Sequence, residues 1–171
     1  EFILAVESTA LRYKTQIVAT IGKLQVANAA SNVIPGAITC TLDLRSADGR
    51  MLSEVYETLQ RTAAAICGRR NISFEWTAVQ ETSPVTCDPS LSAVLARSVK
   101  ESGYEPLELV SGAGHDAVAI AAVAPVCMLF VRCYKGISHN PLENVELKDI
   151  NAALQVADKF LQQMIHQHNQ S

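Results

Sequence analysis

The chain is short of aromatic residues, which make up 5% of its 171 positions, and of charge, with Asp, Glu, Lys and Arg together at 18%. Lys and Arg number 14 against 17 Asp and Glu, for a net charge of -3. No Lys/Arg cluster offers the electrostatic footprint that a phosphate backbone requires, so nucleic acid is not an expected partner. No apolar run reaches the ~20 residues of a membrane span. The longest weakly polar stretch, Ala117 to Val131, is interrupted by Pro125, and no membrane partner is expected. CxxC, HExxH and GxGxxG are all absent, which removes the common short signatures of zinc, metalloprotease and dinucleotide sites. The cysteines (Cys40, Cys67, Cys87, Cys127 and Cys133) are odd in number. In a chain large enough to build a core they read as reduced thiols in a cytoplasmic setting. Cys40, Cys127 and Cys133 fall in apparent strands, where a free thiol acts as a small hydrophobe.

What is present is 49% hydrophobic residues, enough for a core, arranged in alternating helical and strand periods. Glu1 to about Tyr13 has helical spacing but neither an initial Met nor a capping residue. It reads as a helix entered part-way, and the chain is expected to be truncated or cleaved. Ile17 to Val26 is rich in β-branched residues and predicts a strand. Asn28 to Gly36 is turn-rich. From Ala37 to Arg45 the pattern alternates, with Ile38, Cys40, Leu42 and Leu44 on one face and Thr39, Thr41, Asp43 and Arg45 on the other. Ser46 and Asp48 are suitable N-caps for a helix whose stripe is Val55, Leu59, Ala63 and Ile66. Ile72, Phe74, Trp76 and Ala78 alternate as a further strand. The order suggests an α+β sandwich with helices on one face of an antiparallel sheet.

The texture changes between Glu81 and Pro89, the expected domain boundary. Pro89 suits the first helical position after an Asp88 cap, and Leu91, Val94, Leu95 and Val99 predict a helix closing at Gly103. Leu107–Val110 reads as a short strand, Ala117–Val123 as a small helix, and the apolar run Val126–Val131 as a strand buried on both faces of an α/β sheet. A final helix is expected to bury Ile150, Leu154, Ala157, Leu161 and Met164. His166 and His168 belong to a frayed polar end, and Arg69-Arg70 to a solvated helix terminus.

Two loops follow apparent strand ends, where open α/β sheets place their sites. In Ser111-Gly112-Ala113-Gly114-His115-Asp116, small residues allow close approach of a ligand, and backbone N–H groups can hold a carboxylate or oxyanion. The competing reading is a tight turn with Asp116 capping the next helix. In Gly136-Ile137-Ser138-His139-Asn140-Pro141, a rigid turn presents an imidazole, a standard ligand for zinc-like ions, or simply a surface histidine. Arg45 ends the polar face of its strand, with Asn32 shortly upstream. The guanidinium suits a carboxylate clamp or an ordinary contact with Asp43 or Asp48.

Four segments, Asn32-Val33-Ile34-Pro35-Gly36, Thr41-Leu42-Asp43-Leu44-Arg45, Ser111 to Ala117 and Gly136 to Pro141, resemble in order and spacing the motifs of the allantoate amidohydrolases and N-carbamoyl-L-amino-acid hydrolases. These are dinuclear metallo-aminopeptidase-like hydrolases. The run Met128 to Cys133 leading into Gly136 leans toward the allantoate branch. The resemblance implies an α/β fold. Residues 1–85 would form a lid or dimerisation domain with a four-stranded sheet and two helices; residues 86–171 would form the C-terminal portion of the metal-binding domain. It implies that His139 is a metal ligand, that Asn32 and Arg45 grip the substrate carboxylate, and that Gly114 contacts substrate through its backbone, with His115 a weaker candidate. In that class, lid residues can complete a neighbouring subunit's site, which implies a homodimer. Two ions, zinc or manganese, and a small ureido carboxylate such as allantoate or an N-carbamoyl-L-amino acid are implied as cofactors and substrate. The other metal ligands, the general-base glutamate and a lid histidine have no counterpart here. They are expected on a missing N-terminal segment, leaving this chain inactive alone. The alternatives are a non-catalytic dimerisation or ligand-binding module, and a small-molecule sensor with a ferredoxin-like domain.

Overall fold

The computed structural model describes residues 1–169, apart from the side chain of His168. The chain is of mixed helix and strand character and divides into two compact units, Glu1–Pro84 and the part beginning at Val85.

Unit 1 opens with α1 (Phe2–Tyr13), which ends where Lys14 takes a left-handed φ of 48°. Strands β1 (Val18–Val26) and β2 (Ile38–Arg45) form an antiparallel hairpin, with register running from Val18 opposite Arg45 to Val26 opposite Ile38. A bulge interrupts the ladder between Ile21 and Lys23, and the Lys23 amide donates to Thr41 Oγ1 at 3.1 Å. Helix α2 (Gly49–Arg69) follows. Its cap is Asp48, whose Oδ1 accepts from the amides of Arg50 (2.9 Å) and Met51 (3.1 Å), satisfying donors that a helix start otherwise leaves orphaned. Ser46 Oγ donates to the Gln16 carbonyl at 2.9 Å, tying the two strand ends together.

The expected stripe on α2 is observed: Val55, Leu59 and Ala63 are buried. With Val6 and Ile17 they make the core, against which Ala19, Ile21, Leu42 and Leu44 pack from one face of the hairpin. Both helices therefore cover the same face. The burial of β2's apolar face is partial, because Ile38 and Cys40 remain exposed toward the far end.

Among the described residues, the expected strand at Ile72–Ala78 pairs with no other strand. Beyond the Ile72 amide, which donates to the Cys67 carbonyl, no backbone hydrogen bond involves residues 73–84. Of its expected apolar face, Ile72, Phe74 and Ala78 are exposed and only Trp76 is half-buried. Trp76 turns to the core, donates Nε1–H to the Tyr56 hydroxyl at 2.8 Å and meets Phe2 and Tyr56 edge-on. Alternation reports which face is apolar; a ladder also needs a neighbouring strand. Among the described residues the sheet has two strands, not four. Arg69 and Arg70 are exposed at the helix end, as expected, and both also pair with Glu1.

In unit 2, α3 (Pro89–Glu101) has the predicted Pro at its start, and Asp88 Oδ1 accepts from the Leu91 amide at 2.8 Å. The Asp88 amide donates to the Val126 carbonyl at 2.8 Å. A short α4 (Ala117–Ile120) stops before Val123, and a single 3₁₀ turn (Tyr134–Gly136) precedes α5 (Leu147–His168). Helices α3 and α5 pack together, burying Val94, Ser98 and Val156. The predicted stripe of α5 holds in part: Ala157 and Met164 are half-buried, but Ile150, Leu154 and Leu161 are 38%, 63% and 58% exposed, and the fully buried residue is Val156. Leu107–Val110 and Val126–Val131 are likewise not in a ladder. The first is exposed and the second half-buried, contrary to a strand covered on both faces.

Candidate functional site

Arg45 closes β2 on the exposed face, opposite Val18. Its guanidinium grips Asp43 with a fork, Nε to Oδ1 at 2.9 Å and Nη2 to Oδ2 at 2.6 Å. Residues i and i+2 of a strand share a face, which places carboxylate and guanidinium side by side. The hydrogen bond from Arg45 holds the Asp43 carboxyl below its ordinary value, and Asp43 raises Arg45. The contact with Asp43 anticipated as the ordinary alternative is thus present. Asn32 is exposed in the link between the strands, beside the isolated bridge of Ala30 with Val33. That link leaves from the Val26–Ile38 end of the hairpin, whereas Arg45 lies at the Val18 end. The seven steps from Ile38 to Arg45 span roughly 23 Å of strand at ~3.3 Å per residue.

The loop at Ser111 is organised by one hydroxyl. Ser111 Oγ lies 3.2 Å from the Ala113 amide, 3.2 Å from the Ala113 carbonyl and 2.7 Å from His115 Nε2. One of the backbone N–H groups expected to cradle an anion is therefore already engaged. Gly114 is exposed, and a Cβ built there would meet nothing within 4 Å, so the backbone is open to a ligand. Asp116 makes no capping bond to α4, which removes the capping role considered for it.

His139 is exposed and holds a left-handed φ of 56°, a conformation in which histidine is enriched among non-glycine residues but which needs support. The support comes from Glu143, whose Oε2 accepts the His139 amide at 2.8 Å. The Glu143 amide in turn donates to the Asn140 carbonyl at 2.9 Å, and Asn140 Oδ1 accepts from the Leu142 amide at 2.9 Å. Upstream, Tyr134 N–H donates to the Asn144 carbonyl at 2.7 Å. The loop is fixed by its own polar groups. Glu143 was not singled out in the sequence; its position two residues after Asn140-Pro141 was the available signal. Among the described residues there is no group of three or more His, Cys, Asp or Glu able to hold a metal, so the residues present do not make a metal site by themselves.

The five thiols are free. Burial, reinforced by Cys87 and Asp88, pushes the Cys127 thiol up, which suits an inert side chain. Cys40 is exposed on β2, and Cys127 and Cys133 lie outside any ladder, so the strand-core setting expected for these three is not observed. A shallow cleft of about 300 Å³, lined in part by Thr86, Asp88 and Pro125, contains none of the predicted site residues.

Residues 3–163 match the family described as Peptidase family M20/M25/M40, and the chain belongs to it. It is 37% identical over 167 residues to allantoate deiminase 2 of Glycine max, covering 92% of this chain and 34% of that one. It is 36% identical over 143 residues to the N-carbamoyl-L-amino acid amidohydrolase of Geobacillus stearothermophilus, covering 84% of this chain and 35% of that one. Among solved structures, a hydantoinase/carbamoylase family amidase from Burkholderia vietnamiensis superposes with a TM-score of 0.85 at 31% identity, over 93% of this chain and 38% of that one. The chain spans about a third of the length of the curated relatives it matches.

Proposed function

We propose that the chain is the C-terminal part of a metal-dependent amidohydrolase that cleaves a C–N bond in a small ureido compound bearing a carboxylate, allantoate or an N-carbamoyl-L-amino acid. In this reading residues 1–85 serve as lid and dimerisation domain, and residues 86–171 contribute to the metal-binding domain. The observation that carries it is the likeness of the chain, over nearly its whole length, to enzymes named for such substrates; Arg45, paired with Asp43 at the exposed end of β2, is the guanidinium available for the carboxylate. A planar guanidinium binds a carboxylate through two parallel bonds, fixing orientation as well as charge. The incoming substrate carboxylate competes with Asp43 for that fork.

Asn32 adds an amide that donates and accepts. With Arg45 it grips the substrate carboxylate, and in a homodimer formed through the lid these residues complete the site of the neighbouring subunit. Gly114 offers an open backbone and His115 a ring beside it. His139, on its wired loop, is the one ligand this chain contributes to a zinc or manganese centre. A bound ion of that type would acidify water and polarise the carbonyl. No residue described here is placed as the general base, and the chain alone is inactive in this reading. Its free thiols accord with a cytoplasmic setting.

The test is Arg45→Ala in the intact enzyme. A hydrogen-bonded charge pair is worth ~1.5–3 kcal/mol, so KM for the carboxylate substrate rises about 10- to 100-fold, with kcat much less affected. An unchanged KM contradicts the clamp. The second reading, a non-catalytic binding module, is favoured by the separate core of unit 1. It gains if substrate binding needs Arg45 but no metal.

A further inference from the structure

We propose that Ser111 is a positioning residue that holds His115 as its Nε2–H tautomer, leaving Nδ1 to accept a hydrogen bond from an N–H of the ureido group. The acceptor role rests on the amidohydrolase reading; the tautomer does not.

Three contacts converge on one oxygen. Ser111 Oγ has three neighbours: the Ala113 amide at 3.2 Å, the Ala113 carbonyl at 3.2 Å and His115 Nε2 at 2.7 Å. A hydroxyl carries one donor and two acceptor lone pairs. The Ala113 amide can only donate and the Ala113 carbonyl can only accept. If the hydroxyl proton goes to the carbonyl, Oγ accepts from the amide and from Nε2–H, and all three contacts are satisfied. If the proton goes to Nε2 instead, the carbonyl contact has no hydrogen in it. The only neutral imidazole that satisfies every neighbour carries its proton on Nε2.

The same hydroxyl closes the Ser111–Ala113 turn, so the loop backbone and the ring are set by one group. A ring fixed in this way presents a lone pair at Nδ1, and a lone pair selects an N–H donor over a carbonyl or carboxylate oxygen. A ureido group supplies such N–H donors beside the carbonyl to be attacked. Ser111 thereby acts through His115 and touches no substrate itself.

The test begins with the full 171-residue chain, ¹⁵N-labelled at histidine, at about pH 8, where an ordinary imidazole is neutral. Two-bond and three-bond ¹H–¹⁵N correlations, assigned with His115→Gln, are expected to show His115 as a single Nε2–H form with a slowed Nε2–H exchange. Ser111→Ala is expected to lose the slowed exchange and Ser111→Thr to restore it. An Nδ1–H pattern in the unaltered chain, or unchanged exchange in Ser111→Ala, overturns the tautomer assignment. In the intact enzyme, losing one such bond should lower kcat/KM about 5- to 10-fold in Ser111→Ala, with Ser111→Thr recovering most of it. Loss of the slowed exchange with unaltered kcat/KM overturns the positioning role while leaving the ureido reading standing. Failure of the intact enzyme to turn over any ureido carboxylate overturns the acceptor role along with that reading, while the spectra still decide the tautomer.

Discussion

Unit 1 encloses Val6, Ile17, Val55, Leu59 and Ala63, whereas among the described residues of unit 2 only Val94 and Val156 are apolar and fully buried. The composition of the two halves does not account for this. Unit 2 holds the most apolar run of the chain, yet Leu107, Val110, Val123 and Leu147 are 78%, 72%, 86% and 77% exposed. The difference is one of layers. In unit 1 two helices lie on one face of a hairpin and close a small core between them. In unit 2 two helices pack against each other, while the extended runs have no ladder to lean on. Burial follows from opposing surfaces, and an apolar run without a second layer is covered at most in part, as Val126–Leu129 are. The candidate site residues occur in both units and are exposed in both, but they are held differently: Arg45 by a regular strand, His115 and His139 by loops whose own polar side chains do the fixing.

That contrast can be broken most forcefully in the core of unit 1. Leu59→Ala should cost about 3 kcal/mol, since a fully buried leucine leaves a cavity as well as losing its transfer free energy. Trp76, the only tryptophan, lies against this core and reports the loss as a lower urea midpoint in fluorescence. Val94→Ala in unit 2 should cost less, about 1–2 kcal/mol by far-UV circular dichroism, because fewer atoms are removed. Equal costs at the two positions would contradict the view that unit 1 holds the better-formed core.

The smallest expected effect sharpens the account of Arg45. Its fork lowers the Asp43 carboxyl below the ordinary 3.8. A group whose folded value is depressed contributes stability above its unfolded value and loses it as pH falls through the folded one. The two side chains are 49% and 48% exposed, so the gain is at most about 0.5 kcal/mol after screening by solvent. Asp43→Asn should therefore lower the urea midpoint slightly at neutral pH, and the difference should shrink as pH falls through the depressed value of Asp43. A difference that persists in acid would assign the effect to something other than the ion pair.

Much of this was readable in the sequence where the causes are local. Asp48 and Asp88 cap the helices they precede, and the spacing of Val55, Leu59 and Ala63 names the buried side of α2. The alternation of Ile38–Arg45 predicts both the strand and the exposed position of Arg45. What was not readable depends on partners distant in the chain. Alternation in Ile72–Ala78 locates Trp76 correctly but does not say whether a strand lies alongside. In α5 the spacing placed Ala157 and Met164 correctly but not Leu154 and Leu161, because which side meets α3 is decided by the facing helix. The pairing of Glu1 with Arg69 and Arg70 spans most of unit 1 and leaves no local trace. In the site, the residue types were legible in Arg45, Gly114, His115 and His139, but their supports were not. Ser111 and Glu143 act through side-chain hydrogen bonds within their own loops, and neither produces a periodic pattern.

The account turns on His139 as a metal ligand presented by a loop that Glu143 holds in a left-handed turn. The direct measurement is the metal content of the purified intact enzyme carrying His139→Ala, set beside the unaltered protein by elemental analysis. The account predicts that bound zinc or manganese falls substantially and that activity drops by more than about 100-fold, beyond what removing a supporting hydrogen bond to a ligand costs. Retention of the full metal complement by His139→Ala would contradict it.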